Sequence, residues 1–379
     1  MQRPGFSTEH EIFRESYRAF LQKEVQPHKQ AWREAGIVPR EMFRKMGDLG
    51  YLLVWADEEH GGLGLWDFRY QQIMIEEDNR FGEVGFYHTL HSRLVAPYLQ
   101  HFGSPAQRAR YLPACATGDS ILAIAMTEPD AGSDLAGIKT RAQEQGDHWV
   151  LNGAKTYISN GINADVVLVA ARTDPDNPRR IGLFLVERGM PRFERGRKLA
   201  KMGLHAQDTA ELFFNDVRVP KANVLGDAGQ GLSYLKTSLV EERLICAVGS
   251  LANAQCGFDL TRDYVLERKA FGKTIADFQN TRFVLAELAA ELEMAQVYID
   301  HCVTLHNDSA LSVPSAAKAK LISSELESRI MDAGVQLHGG AGYMQEYEIC
   351  QRFQDARVSR IFAGSSEIMK EIIARAVLG

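Results

Sequence analysis

Residues 125–137 read AMTEPDAGSDLAG and hold the densest set of ligand-binding groups in the chain. An apolar run over 121–126 ends there and opens into a loop carrying Thr127, Glu128, Ser133 and Asp134 around Gly132. Backbone groups at a strand end can bond the rim of a heteroaromatic ring, while hydroxyls and loop N–H groups can reach anionic oxygens. The chemistry indicated is capture of a flat, polar-edged ligand with a phosphate tail. In 155–161 (KTYISNG), Tyr157 and Ser159 stand two residues apart. On a strand they share one face, suited to stacking on a ring and bonding its edge. Residues 268–273 (RKAFGK) place three cations beside Phe271, with Gln279 beyond. Residues 336–343 (QLHGGAGY) end a helical pattern in three glycines, where backbone can approach a ligand closely. Residues 361–368 (IFAGSSEI) form a loop opening the last helix, whose N–H groups and Ser365 can hold a phosphate or a ring edge. His88 and His91 have an i, i+3 spacing but no third ligand nearby, so a structural or pocket-wall role is expected and no metal.

These segments must be positioned by two or three domains, which 379 residues can supply with sizeable cores. Charged residues make up 24% and hydrophobic residues 45%, the balance of a soluble globular protein. A net charge of −6 argues against nucleic acid or an anionic membrane as partner, so a polyanionic ligand would need a locally basic patch. Five cysteines (Cys115, Cys246, Cys256, Cys302, Cys350) include no C-x-x-C pair, which suggests neither a disulfide framework nor a zinc site and fits a reducing compartment. No apolar run reaches about eighteen residues, and the first five residues do not read as a signal sequence. A cytoplasmic protein is expected.

From 7 to 117 the pattern is helical, with Phe13, Tyr17, Phe20 and Leu21 at helical spacing and Pro27 and Pro39 as punctuation. Short β-rich runs follow at 121–126, 149–151, 165–170, 181–186 and 211–214, separated by turn clusters, which predicts a small antiparallel β domain. After a glycine-rich linker at 226–231 the chain is helical again. Leu285, Leu288, Leu292, Ala295, Ile299 and Cys302 form one stripe; Ala319, Ile322, Leu326, Ile330, Ala333 and Leu337 form another, starting after Pro314. The division expected is 1–118, 119–228 and 229–379, the last a four-helix bundle able to hold both a core and an oligomer seam.

In this order the segments resemble the acyl-CoA dehydrogenases over essentially the whole chain. Residues 125–137 match that family's first signature position by position. Residues 155–161 match its second flavin-contact segment, with Tyr157 where tryptophan is more usual and Ser159 where threonine is. Residues 201–214 and 367–375 look like the long-chain type, and the likeness is greatest to the long-chain and isovaleryl branch. Gln351 departs from the second signature, where Lys or Arg is usual. The resemblance implies a mainly α fold: an N-terminal helical domain, a middle antiparallel β domain and a C-terminal four-helix bundle. It also implies a homotetramer holding FAD between β domain and bundle. One subunit's flavin would meet Met126, Thr127, Ser133, Tyr157, Ser159, Ser365 and Glu367. Arg268, Phe271, Gln279 and the loop bearing Gln336, Gly339 and Gly340 would reach the neighbouring subunit's FAD. Ser133, Arg243, Ala363 and Gly364 would face the substrate.

The activity so implied is α,β-dehydrogenation of an acyl-CoA thioester to the trans-2-enoyl-CoA. A carboxylate in a dry pocket takes the α-proton, placed donors meet the thioester oxygen, and the β-hydrogen leaves as hydride to flavin N5. An electron-transferring flavoprotein is the usual acceptor. In many members the catalytic glutamate immediately precedes the Gly-Thr or Gly-Ser of the last motif; here that position is Ala363, which cannot take a proton. In the long-chain and isovaleryl branch the base lies on a bundle helix, and 121 positions before Ala363, in LVEERL, that branch's Glu-Arg-Leu falls on Glu242. Successive helical residues are separated by about 100°, so Glu241 and Glu242 cannot face one pocket. Glu242 is expected as the base, Arg243 as its positioner, and the Ala363 N–H as a donor to the thioester oxygen. A same-fold oxidase, a carrier-protein thioester dehydrogenase and a non-catalytic relative stay open, as do acyl length and branching.

Overall fold

The computed structural model describes Arg3 and residues 5–379. Six helices form the N-terminal part: α1 (Thr8–Phe20), α2 (Lys29–Ala35), α3 (Glu41–Asp48), α4 (Phe68–Phe81), α5 (Ala96–Phe102) and α6 (Pro105–Ala116). Two begin in reciprocal caps, Ser7 with His10 and Ser104 with Gln107, and Pro105 follows the second at the first helical position. Each cap satisfies N–H groups that would otherwise lack partners, an effect worth about 1 kcal/mol. Tyr17, Phe20 and Leu21 are buried. A π-helical turn, Leu90–Val95, leads into α5 and buries His91 and Arg93.

The middle part contains β1 (Leu122–Ala125), β2 (Arg141–Gln145), β3 (His148–Ser159), β4 (Val166–Arg172), β5 (Ile181–Glu187), β6 (Phe193–Lys198), β7 (Thr209–Pro220) and β8 (Val224–Leu225). They join in the order β6-β7-β3-β2-β4-β5-β8, with β1 on β4. The sheet departs from the all-antiparallel expectation in two places. β1 runs parallel to β4, Leu122 facing Val166 and Ala125 facing Val169, and β2 meets β4 in parallel at Arg141 and Arg172. Strands β2 and β6 carried no recognisable signal because RAQEQ and FERGRK are almost wholly polar, with Ala142 and Phe193 their buried anchors. The runs at 149–151 and 211–214 are the apolar centres of two twelve-residue strands that pair with each other.

The C-terminal part comprises α7 (Gly231–Glu267), a hairpin of β9 (Lys269–Ala270) and β10 (Lys273–Thr274), α8 (Gln279–Asn307), α9 (Val313–His338), α10 (Glu348–Ala356) and α11 (Ser366–Leu378). Helices α7, α8 and α9 pack against one another, and α10 and α11 dock on α9. The α8 stripe is buried at Leu288, Leu292, Ala295, Ile299 and Cys302. The α9 stripe is not the clean apolar face its spacing predicts. Ile322 is exposed, whereas Lys320, Ser323, Ser324 and Glu327 are buried beside Ala319, Leu326 and Ile330. Polar groups on the inner side of a bundle helix need partners or a function, and both occur below.

Candidate active site

The end of β1 is held by one buried ion pair. Lys155, fully enclosed, donates to the Met126 carbonyl at 2.9 Å and to Glu128 Oε1 at 2.8 Å. Glu128 also accepts the N–H groups of Lys139 (2.5 Å) and Thr140 (3.0 Å), and the Thr156 N–H bonds the Thr127 carbonyl at 2.9 Å. Burial lowers Lys155 to about 8, against the opposing pull of Glu128. Residues 126–128 are thereby tied to β3 and to the far end of their own loop, leaving Met126 and Thr127 half-buried and Ser133 exposed. On β3 the pairing with β7 slips between Lys155 and Ile158, and Tyr157 there takes φ 59° with its ring 69% exposed. A left-handed conformation costs a non-glycine residue about 1–2 kcal/mol. Ser159 lies half-buried two residues on, with Ile158 buried between them; the register slip at Tyr157 interrupts the regular alternation expected of a strand here.

The two adjacent glutamates of α7 have opposite environments. Glu241 meets Arg93 Nε at 2.5 Å and His306 Nε2 at 3.2 Å. Burial pushes its carboxyl up, but Arg93 and then His306 more than offset this and hold it below the usual range. The Arg93 guanidinium is fixed in turn against the rings of Trp55 and Phe68, at 5.9 and 5.5 Å. Glu242, by contrast, enters no ion pair among the described residues. Protein packs closely round its carboxyl although part of the residue stays open, and burial raises it to about 7, with Arg243 the opposing influence. Tyr87 and Tyr98 lie within reach of its charge; burial first, then neighbours including Glu242, pushes both phenols up. Arg243 is itself buried, and its Nε bonds to nothing.

Ahead of α11, Ala363 and Gly364 both have positive φ, 54° and 93°. Ser365 caps the helix, its Oγ accepting the Ile368 N–H at 3.4 Å. Lys320, fully buried on α9, donates to the Gly364 carbonyl at 2.7 Å, and the positive charge of Arg243 is felt at Lys320. The Ala363 N–H has no hydrogen-bond partner among the described residues. It is a free donor adjoining Gly364, whose carbonyl Lys320 holds.

The remaining predicted residues form a separate, exposed group. The Tyr264 ring stacks on His338 at 4.0 Å, its hydroxyl donates to the His338 carbonyl at 3.2 Å, and its own carbonyl accepts the Arg268 N–H at 2.8 Å. The ends of α7 and α9 are thus side by side, carrying Arg268, Gln336, Gly339 and Gly340 on the surface. No atom lies within 4 Å of where a Cβ on either glycine would stand. Phe271, at the tip of the β9–β10 hairpin with φ 52°, is 95% exposed, and Gln279 opens α8. Among the described residues, no hydrogen bond or ring contact joins this group to Met126, Thr127, Ser133, Tyr157 or Ser159. Glu367 is exposed on α11. Gln351, at the departure from the second signature, donates to the Gln345 carbonyl at 2.7 Å. His88 bonds Asp78 (2.8 Å) and Tyr17 (3.1 Å), while His91 accepts the Leu122 N–H at 3.1 Å and so ties α5's leading turn to β1.

Sequence reasoning missed Arg93, Tyr87, Tyr98 and Lys320, none of which carries a local motif. It also missed a cavity of about 110 Å³ lined by Tyr87, by Cys246 and other residues of α4 and α7, by Glu327 of α9 and Asp355 of α10, and by the segment preceding α11.

Helical parts before and after a small sheet, with an enclosed carboxylate that enters no ion pair among the described residues on the longest helix, frame the site. The chain belongs to the acyl-CoA dehydrogenase family. Models of that family's N-terminal, middle and C-terminal domains match residues 7–119, 123–217 and 229–378. The chain is similar to the mitochondrial long-chain specific acyl-CoA dehydrogenase of Sus scrofa, at 46% identity over 98% of this chain and 87% of that one. It is also similar to the mitochondrial isovaleryl-CoA dehydrogenase of Pongo abelii, at 35% identity over 98% of this chain and 89% of the other. Among solved structures, an acyl-CoA dehydrogenase from Geobacillus kaustophilus superposes with a TM-score of 0.97 at 46% identity, covering 99% of this chain and 100% of its own.

Proposed function

We propose that this chain dehydrogenates an acyl-CoA thioester between its α and β carbons, with Glu242 as the base. The observation carrying this is the contrast on α7: Glu241 is neutralised by Arg93 and His306, whereas Glu242 is enclosed, unpaired and raised to about 7. A base poised near neutrality is what abstraction of a weakly acidic proton requires. The Ala363 N–H supplies a donor for the thioester oxygen, so alanine at the commoner base position leaves that donor in place. Arg243 holds positive charge beside Glu242 and favours its ionised form.

The residues present fit FAD. Tyr157 offers an exposed ring held by a strained backbone, Thr127 and Ser133 offer hydroxyls near the end of β1, and Ser365 opens α11. When bound, FAD supplies the two-electron acceptor for the β-hydrogen. Arg268, Phe271, Gln279, Gln336, Gly339 and Gly340 are all exposed among the described residues, which supports a role toward a second copy in a homotetramer. Arg268 suits a pyrophosphate because its planar fork can bind two oxygens at once. We place the division of the chain at 118/119 and 228/229. Among the described residues, no helix is long and apolar enough to cross a membrane. A reducing, cytoplasmic location is our reading of five cysteines that form no disulfide. Electron-transferring flavoprotein as acceptor follows from family membership alone. Anaerobic titration of the purified protein with a panel of saturated acyl-CoA esters tests the activity: flavin bleaching by at least one chain length is expected, and none by any would refute it.

A further inference from the structure

The cavity lined by Tyr87 and Cys246, two residues that feel the charge of Glu242, is not wholly apolar. Ile75, Phe86, Ile245 and Phe362 line its length, but Ser250, Asn253, Glu327 and Ser359 also line it. Ser250 and Asn253 lie eight and eleven residues beyond Glu242 on α7, so at 1.5 Å per residue they stand about 12 and 16 Å further along the helix. Glu327 is 3% exposed, and one of its oxygens is committed. Oε1 accepts from Asn253 Nδ2 at 2.7 Å, and Asn253 Oδ1 accepts from Arg352 Nη1 at 2.7 Å. Its Oε2, equally buried, has no hydrogen-bond partner among the described residues; the Ser250 and Ser359 hydroxyls act on the carboxyl from further off, and Ser359 donates to the Ala356 carbonyl at 2.8 Å. A methyl-ended chain filling this space would leave that oxygen with only these weak contacts, whereas a chain bearing a polar group at the right depth would give it a full hydrogen bond.

Resting on the activity proposed above, we propose that this cavity receives the distal part of the acyl chain and that Glu327 recognises a hydroxyl carried there. The preferred substrate is then a long acyl-CoA hydroxylated at or near its far end. An extended chain advances about 3.3–3.6 Å per three bonds, so 12–16 Å corresponds to roughly ten to fourteen bonds beyond the α carbon. A hydroxyl both donates and accepts, so it pairs with either ionisation state of Glu327, which burial holds at about 7. A terminal carboxylate would bring like charge to the same point. That repulsion arises whenever Glu327 is ionised, so a neutral hydroxyl is the group that suits both of its states.

The test uses the flavin-loaded enzyme and compares tetradecanoyl-CoA with ω-hydroxytetradecanoyl-CoA by anaerobic flavin reduction, with butanoyl-CoA as a chain too short to reach Glu327. In the wild type, kcat/KM for the hydroxylated ester should equal or exceed that for its methyl-ended counterpart. Glu327→Leu should lower that ratio about ten- to a hundredfold, while Glu327→Gln, which can still pair, should keep most of it. Butanoyl-CoA should be turned over alike by all three. A wild type that disfavours the hydroxylated ester tenfold or more overturns the inference even if Glu327→Leu fails to fold. So does an unchanged ratio in Glu327→Leu. Bleaching by methyl-ended esters with either of those results leaves the activity standing and removes only this inference; no bleaching by any ester removes both.

Discussion

Replacing Glu242 by Gln should change stability and catalysis in a linked, pH-dependent way. In the unfolded chain this carboxyl ionises near its ordinary 4.5; in the folded protein burial raises it to about 7. At 1.36 kcal/mol per tenfold change, holding the charged form in that site costs about 3 kcal/mol. The sign follows from proton counting. Below pH 4.5 both states are protonated and the residue has no effect. Between 4.5 and 7 the folded state keeps a proton the unfolded state has released, so stability falls as pH rises, and above 7 the loss is complete. Glu242→Gln, which cannot ionise, should therefore be more stable than wild type by up to about 3 kcal/mol at pH 8, a shift of a few degrees in Tm. At pH 4 the difference should vanish. Glu327, also raised to about 7, is common to both proteins and cancels in the comparison. If Glu242 is the base as proposed, the same ionisation arms it, so wild-type kcat/KM for flavin reduction should rise with pH through about 7. The Gln variant should be slower by at least the ~10²–10⁴ typical of general-base catalysis and should lose that pH step. Thermal melts across pH 4–8 and anaerobic stopped-flow reduction measure the two arms. A Gln variant reducing its flavin at the wild-type rate, or one no more stable than wild type at pH 8, would refute the reasoning.

Three other substitutions probe the supports of the site. Lys155→Met strands the buried Glu128 carboxylate; a loss of about 3–5 kcal/mol is expected, with reduced flavin absorbance as 126–128 loosens, and an unchanged Tm and flavin content would contradict the clamp. Arg93→Met removes the main influence holding Glu241 low, so the variant's deficit in Tm should widen as pH rises from 4 to 8; a deficit independent of pH would speak against that ion pair. Arg268→Ala should leave folding intact but release FAD on dilution and weaken the tetramer, both seen by size-exclusion chromatography at two wavelengths. A variant that keeps stoichiometric FAD as a stable tetramer would exclude the proposed contact.

The fold was legible where apolar residues repeat with a single period. The α8 stripe and the cores of β3, β4, β5 and β7 lie as their spacing predicts, because burial of one face sets both pattern and packing. It was illegible where that link breaks. Strand β2 exists because its backbone pairs with β3 over Arg141–Gln145, and its side chains need not be apolar for that. On α9 the period was right and the chemistry wrong. Lys320 and Glu327 are charged types at buried positions, seven residues apart on one face of the helix. Each is explained by a partner distant in sequence: the Gly364 carbonyl for Lys320, and Asn253 for Glu327.

The same holds for the site. Its backbone features, glycines and hydroxyls at loop ends, announce themselves locally because φ and hydrogen-bond geometry restrict which residues serve. The choice between two neighbouring glutamates does not. Apart from the Glu-Arg-Leu likeness that falls on Glu242, the two are the same acid side by side, and helix geometry says only that one of them turns away. What separates them is Arg93, 148 positions away and pinned between Trp55 and Phe68, together with His306 from α8. These cations claim Glu241, while Glu242 lies within reach of Tyr87 and Tyr98. The proposed assignment of the base then depends on a charge network about 100° round the helix from Glu242. If Arg93 and His306 were both replaced by apolar residues, Glu241 would face burial without a partner, and its pKa should climb toward that of Glu242. Two carboxyls titrating near neutrality, where wild type shows one on this helix, is the outcome expected from carbon-13 NMR of the labelled glutamates. Retention of a low Glu241 pKa in that double variant would mean that helix orientation, and with it the identity of the base, is set by something other than this network.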